Sequence, residues 1–246
     1  MKGLLSLTWI DLKLSLRNLV ATFFTLAFPV LMILLFGSMY GNAPIPDFGG
    51  YGAMDVSIPG YIAALLIGST GLMSLPIELV SRRQRGVLRR FRASPLSPAS
   101  VLCAQLLVNL ALCLLGSALL LLAGTLVWRV RLPTNILALA PAFLLCCASQ
   151  FSLGFLVASF ARSAKTAFAV SMALFYPMMF LSGGTLPMQF LPKAIQDASR
   201  FFSMTWCVTL LKDIWFGRGW NPVALLVLAG TSLLCALLSV LFFKWE

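Results

Sequence analysis

The 246-residue sequence contains no histidine, and its seven acidic residues face eighteen lysines and arginines. Without histidine there can be no H-E-x-x-H zinc motif and no histidine-based catalytic triad. The motif G-x-x-x-x-G-K-[ST] is also missing, so the chain cannot cradle the phosphates of ATP by itself. We therefore expect no enzymatic activity and no cofactor on this chain.

Charged residues are scarce as well. They make up 10 % of the sequence against 60 % hydrophobic residues, and the mean hydropathy is +0.97. Such a chain has too little polar surface to cover a soluble globule and belongs in a lipid bilayer. The net charge of +11 does not predict nucleic-acid binding, because the basic residues stand mainly in short segments beside apolar runs, where they set membrane orientation.

Six cysteines are present, but there is no C-x-x-C pair. Most of them fall inside apolar runs, where a free cysteine behaves as a small apolar side chain. No metal site is predicted from them.

The most unusual stretch is a polar interruption between two apolar runs, with six arginines in residues 82–92, here called the arginine segment. If this segment is helical, one side carries arginines and the other side is apolar. Two prolines would end that helix, because a missing N–H breaks the hydrogen-bond ladder. The segment is thus either a basic loop that only fixes topology or a docking element for a cytoplasmic partner. The residues concerned are Arg82, Arg85, Arg89 and Arg92 on one side, Val87, Leu88 and Phe91 on the other, and Pro95 and Pro98 at the end.

Hydrophobic runs predict an all-α polytopic membrane protein with six transmembrane helices in one domain, residues 1–246. An amphipathic helix over 1–19 is expected to lie in the membrane interface. The segment 183–221 is too interrupted to span and too apolar for a solvated loop, so it is predicted to re-enter the outer leaflet. The predicted spans are 20–40, 58–80, 99–128, 134–160, 164–182 and 222–243, with the surface helix 82–98 between the second and third.

Six spans place both termini on one side, and the basic residues indicate which side. Twelve of them lie on the side of the termini: three in 1–19, six in the arginine segment, Arg162, Lys165 and Lys244. Six lie on the other side. The excess predicts cytoplasmic termini, an external 41–57 segment and insertion in the cytoplasmic (inner) membrane.

Glu78 is the only acid inside the predicted spans. A proton- or sodium-coupled carrier usually needs ionisable groups at mid-membrane, so a secondary transporter is disfavoured. Glu78 either pairs with Arg82 one turn later or helps to transmit motion from the arginine segment. Asn109 and Gln150 are expected to form hydrogen bonds between helices rather than to contact a substrate.

Three motifs stand out along the chain: Ser57-Ile-Pro-Gly60, the run from Arg85 to Pro98, and Leu181-Ser-Gly-Gly-Thr-Leu-Pro187. Together they resemble the membrane subunit of a type-2 ABC transporter, and the resemblance extends over essentially the whole chain. Many relatives carry an acid just before the arginine-rich run. Here Gln84 stands near that place, and the nearest acid is Glu78.

The resemblance implies that the arginine segment is a coupling helix received by a groove of a separate ATP-binding subunit. ATP and magnesium would bind to that partner, and the working complex would contain two ATP-binding subunits and two permeases, the second being another copy or a related chain. The implied coupling residues are Arg82, Arg85, Gly86, Val87, Leu88, Arg89, Arg90, Phe91, Arg92 and Pro95, with Glu78 as a possible coupling charge.

The motifs look most like those of drug and antibiotic exporters in this family. The expected function is therefore ATP-driven export of an amphiphilic substrate, such as a drug, an antibiotic or a lipid-like molecule. Two alternatives remain: export of lipid-linked or polysaccharide-type glycans, and a membrane assembly protein that recruits a cytoplasmic factor without transport. An enzyme acting on lipids would need a convergent set of acids, histidines or metal ligands that this sequence lacks.

Overall fold

The computed structural model describes residues 2–17, 22–45, 49–86, 98–185, 188 and 192–242, and these are mostly helical. Helix α1 is Lys2–Arg17, and α2 joins a π-helical turn, Phe23–Ala27, to an α-helix, Phe28–Tyr40. A short antiparallel hairpin, β1 (Pro44–Ile45) and β2 (Tyr51–Gly52), leads into α3, Ala53–Gln84. The later helices are α4 Pro98–Trp128, α5 Ile136–Phe160, α6 Ala164–Leu181, α7 Lys193–Ser199, α8 Ser203–Trp215 and α9 Pro222–Phe242.

Local sequence explains where several helices begin and end. Asn135 caps α5 by accepting a hydrogen bond from the backbone N–H of Ala138 at 3.0 Å, and Ser163 caps α6 from Thr166 at 3.1 Å. Gly183, with φ of +71°, follows α6 in the left-handed conformation that glycine adopts without steric cost.

Within the described residues, five helices are long and apolar enough to cross a membrane, namely α3, α5, α6, α9 and the Leu102–Trp128 part of α4. A shorter apolar helix covers Thr25–Tyr40. The all-α polytopic class is therefore confirmed, and the count of six spans stays a prediction.

Helix α3 differs most from expectation. It begins at Ala53 rather than at residue 58 and ends at Gln84 rather than at residue 80. The early start follows from Asp55, whose Oδ2 accepts a hydrogen bond from the backbone N–H of Gly52 at 2.9 Å and satisfies a free donor of the first turn.

The arginine segment also begins differently. Arg82 belongs to the last turns of α3, so the expectation of a separate flat helix starting at residue 82 was wrong. The chain leaves α3 at Gly86, whose φ of +68° ends the helix. Residues 87–97 lie outside the described residues.

The N-terminal segment forms a helix, and α1 packs along α4. Its Asp11 is buried, whereas Trp9, Ile10 and Leu14 are exposed. The position of α1 in the membrane interface remains a prediction.

The core surrounds α3, whose middle contains two π-helical segments, Ile62–Gly68 and Thr70–Ser74. Helices α3 and α5 approach closely because Gly154 packs on the carbonyl of Gly71. Gln150 joins α5 to α8 by donating a hydrogen bond to Ser203 Oγ at 3.1 Å, as expected. Asn109 instead donates to the carbonyl of Gln105 in its own helix, so its expected bond between helices was wrong.

Candidate functional site: a charge cluster beside the arginine segment

A charge cluster at the end of α3 is formed by Asp11, Glu78, Arg82 and Gln105. Arg82 is its centre. Its Nη1 donates to Asp11 Oδ2 at 2.8 Å, and its Nη2 donates to Glu78 Oε1 at 2.6 Å. The guanidinium thus joins α1 to α3 through two charge-assisted hydrogen bonds.

The second carboxylate oxygen of Glu78 connects the cluster to α4. Gln105 Nε2 donates to Glu78 Oε2 at 2.6 Å, and the Gln105 residue is only 2 % exposed. Three helices therefore meet through one side-chain network within a few residues of the arginine segment.

The two residues after Arg82 reach the turn between α5 and α6. Arg83 donates to the backbone carbonyls of Ala158 and Ala161, which end α5. Gln84 Oε1 accepts a hydrogen bond from the backbone N–H of Ala164, the first residue of α6, at 3.0 Å. The end of α3 is thereby tied to both helices of that turn.

The ion pair between Arg82 and Asp11 is largely buried. The side chains of Arg82 and Asp11 are 12 % and 8 % exposed. A buried ion pair adds little net stability over an apolar packing, but removing one partner is costly and so defines a unique arrangement. The cluster therefore holds α1, α3 and α4 together at this end of the bundle.

Of the two roles considered for Glu78, the structure shows the pairing with Arg82, and a role in transmitting motion stays a prediction. Arg85 Nε donates to the carbonyl of Ser81 at 3.4 Å, and Gly86 forms the turn after α3. The remaining predicted coupling residues lie outside the described residues: Val87, Leu88, Arg89, Arg90, Phe91, Arg92 and Pro95.

Sequence reasoning missed Asp11, Gln105 and the contacts of Arg83. Two signals were available. Asp11 is the single acid of α1, and Gln105 stands four residues before Asn109, which puts two amides on one face of an apolar helix. Neither signal names the partner residue.

At the opposite end of the bundle, two of the sequence motifs meet. A Cβ placed on Gly60 of α3 would come within 2.9 Å of Gly184 Cα, and one placed on Gly184 would come within 2.6 Å of Ala64 Cβ. The Ser57–Gly60 and Leu181–Thr185 stretches therefore touch backbone to backbone, which only glycine allows.

Lys212 of α8 forms a hydrogen bond to the stretch that follows α6. Its Nζ donates to the carbonyl of Gly183 at 2.9 Å. Burial of the ammonium, together with repulsion from Arg218, lowers the pKa of Lys212 to about 8. The lysine, which holds α8 against the end of α6, thus releases its proton at a lower pH than an exposed lysine does.

Among the described residues, no group of three or more histidine, cysteine, aspartate or glutamate side chains could hold a metal ion. The polar groups described above, at the two ends of the bundle, join helices to one another.

Comparison with known proteins agrees with this architecture. The family model of the ABC-2 type transporter matches residues 2–216, which is most of the chain. The search of curated proteins gives no match. The chain therefore belongs to the ABC-2 type transporter family, as a permease component of the transporter.

Proposed function

We propose that this chain is the permease subunit of an ATP-driven exporter, powered by a separate ATP-binding subunit that carries ATP and magnesium. Family membership supports the transport role. The arginine segment would contact that partner, and the exported molecule would be amphiphilic: a drug, an antibiotic or a lipid-like compound.

The charge cluster is the observation that carries the coupling proposal. Arg82 bonds to Asp11 and Glu78, and Gln105 bonds to Glu78, so the helix that delivers the arginine segment is fastened to α1 and α4. A partner that pulls on the chain after Gly86 would move these helices as a unit. A basic loop that only fixes membrane topology needs positive charge, but it does not need buried hydrogen bonds to neighbouring helices.

The composition of the spans supports an amphiphilic substrate. The Leu102–Trp128 and Ile136–Phe160 spans contain no Asp, Glu, Lys or Arg, and the acids of α3, Asp55 and Glu78, stand near its two ends. A pathway between such helices offers apolar side chains and neutral polar groups, which suit a molecule that already partitions into lipid.

The proposed complex has two permeases and two ATP-binding subunits in the inner membrane, with both permease termini in the cytoplasm. The second permease would be another copy of this chain or a related one. The charge distribution along the sequence supports this orientation.

The test is affinity capture of the ATP-binding subunit by the parent chain, Phe91→Ala and Arg92→Ala at matched membrane expression. If Phe91 is an apolar anchor in a groove, its loss should cost about 2 kcal/mol or more of association, and loss of a rim arginine should cost less. Undiminished capture by Phe91→Ala would contradict the docking proposal.

A second measurement separates export from the alternatives. ATP hydrolysis by the captured complex should rise when a lipophilic compound is added. Stimulation by lipid-linked glycans alone would favour glycan export. A stable complex that no such compound stimulates would favour an assembly protein.

A further inference from the structure

A cavity of about 350 Å³ opens at the end of the bundle opposite the arginine segment. It lies between the β1–β2 hairpin and the end of α4, away from the charge cluster. Residues from both sides line it, among them Asn42, Gly52, Asp55, Trp128, Arg129 and Arg131.

Hydrogen bonds hold the walls of this cavity in place. Asn42 Oδ1 accepts from the backbone N–H of Asp55 at 3.2 Å, and its Nδ2 donates to the carbonyl of Trp128 at 3.1 Å. Asp55 in turn accepts from the backbone N–H groups of Gly52 at 2.9 Å and Arg131 at 2.8 Å. The site is therefore preformed.

The cavity is electropositive. Asp55 is 3 % exposed, and both of its oxygens already accept hydrogen bonds. Arg129 and Arg131 are exposed, and neither forms an ion pair with an acid of the described residues. The Arg131 guanidinium stands 5.2 Å from the centre of the Tyr51 ring, which leaves its edge free to donate.

Arg129 has an unusual backbone. Its φ is +51°, the single positive φ of a non-glycine residue among the parts of the chain that the structure describes. It follows α4 at the position where helices commonly place glycine, and the backbone N–H of Val130 closes the turn onto the carbonyl of Gly124 at 3.2 Å. A side chain kept where glycine would fit with less strain indicates a role for its guanidinium.

Arg129 and Arg131 directly follow the apolar end of a helix that is long enough to span the membrane. Helix α4 is apolar up to Trp128, and Leu126, Val127 and Leu132 are exposed by 74 %, 53 % and 61 %. Exposed apolar side chains of a transmembrane helix contact acyl chains, and basic side chains that directly follow an apolar span lie at the level of the head groups. Arg129 and Arg131 therefore stand where lipid phosphates lie.

We propose that this cavity binds the phosphate group of an anionic phospholipid, with Arg129 and Arg131 as its ligands and the acyl chains along Leu126 and Val127. Guanidinium groups match phosphate oxygens in pairs of charge-assisted hydrogen bonds. The bound lipid is neither the exported substrate nor a requirement for docking of the ATP-binding subunit, so this site goes beyond the proposed function.

The test is native mass spectrometry of the full-length chain, released from phosphatidylglycerol micelles and, separately, from phosphatidylcholine micelles. The variants are Arg129→Gly, Arg131→Gln and, as control, Arg200→Gln, which removes another exposed arginine, the residue directly after α7. Arg129→Gly is informative because glycine adopts a positive φ without steric strain. The melting temperature of this variant should therefore equal or exceed that of the parent.

We expect the parent to retain phosphatidylglycerol over phosphatidylcholine. Each cavity variant should lower that retention about tenfold, since a hydrogen bond to a charged group contributes a decade of affinity or more. Arg200→Gln should retain lipid as the parent does. Equal retention by parent and Arg129→Gly would overturn the site. Displacement of the lipid by glycerol phosphate at equal concentration would show that a soluble phosphate, not a lipid, is the ligand.

Discussion

Arg82 is the residue whose loss should most disturb the end of the bundle that carries the charge cluster. Arg82→Ala would leave the carboxylates of Asp11 and Glu78 without their cation, and breaking such a buried pair costs about 3 kcal/mol or more. We expect a clear fall of the melting temperature in detergent.

Arg200→Ala is the matched control for this prediction. It breaks a pair with Asp197 at 3.6 Å in which both side chains are 69 % exposed, and such pairs contribute less than about 1 kcal/mol. Equal melting shifts for Arg82→Ala and Arg200→Ala would show that the charge cluster is not a structural joint.

Lys212 should make stability depend on pH. Its pKa is about 8 in the folded protein and 10.5 for a free side chain, so between those values the unfolded chain binds more protons. The free energy of unfolding should therefore rise by up to about 3 kcal/mol as the pH increases from 8 to 10.5. Below pH 8 the lysine is protonated in both states, so its destabilising contribution should not change with pH.

The measurement for Lys212 is a set of thermal melts across that pH range for the parent, Lys212→Met and Lys165→Met. Removing Lys212 should flatten the profile, and removing Lys165, an exposed lysine of α6, should leave it unchanged. A parent profile that falls over this range would contradict the assignment.

The residues of the charge cluster show what spacing can and cannot predict. Glu78 and Arg82 are one helical turn apart, so their pairing follows from the sequence alone. Asp11 lies 71 residues from Arg82, and Gln105 lies 27 residues from Glu78. Those partners depend on how α1 and α4 pack, which periodicity within one helix does not determine.

At the scale of elements, the close contact between α3 and the end of α6 should not tolerate side chains. Gly60→Ala would place a Cβ 2.9 Å from Gly184 Cα, against backbone that has no flexible end to move away. We expect lower thermal stability and reduced transport by the assembled complex.

Gly230→Ala in α9 provides the comparison, because a Cβ there meets nothing within 4 Å. Replacing glycine by alanine in an open helical position stabilises by about 0.5–1 kcal/mol. If Gly60→Ala behaves like Gly230→Ala in melting and transport, the two motifs do not depend on close approach.

Helix boundaries also depend on contacts that the local sequence does not show. The apolar run of α3 was recognisable, but Asp55 was assigned to the external 41–57 segment, which contains prolines and glycines and no lysine or arginine. In the folded chain its carboxylate accepts backbone N–H groups from Gly52 and Arg131, so burial becomes favourable. The two π-helical segments of α3 have no signature in the pattern of apolar residues.

For the whole molecule, Arg82 and the β1–β2 hairpin stand at opposite ends of the bundle, because α3 runs from the hairpin to Gln84. The charge distribution predicts that the hairpin is external. A cysteine replacing Asp47, in a background without Cys103, should react with an impermeant thiol reagent in intact cells. Reaction of a cysteine at Arg89 instead would mean that the orientation is inverted.

The sequence motifs were sufficient to indicate the family. In two of them a glycine meets a local backbone requirement, because Gly60 and Gly184 lie at a close contact between chain segments. Their meeting in space was not predictable from them. Gly60 and Gly184 touch only because α3, α6 and α8 pack around one core, and that packing depends on contacts distributed over the whole chain.

The central claim is that an ATP-binding subunit acts on the spans through the charge cluster, and ATP hydrolysis by the purified complex tests it most directly. Parent, Asp11→Asn and Arg200→Gln chains would be assembled with the subunit, and hydrolysis measured with and without a lipophilic compound. The account predicts equal subunit capture by all three, with stimulation lost only in Asp11→Asn. Full stimulation of the Asp11→Asn complex, or a parent chain that captures no nucleotide-hydrolysing subunit, would contradict it.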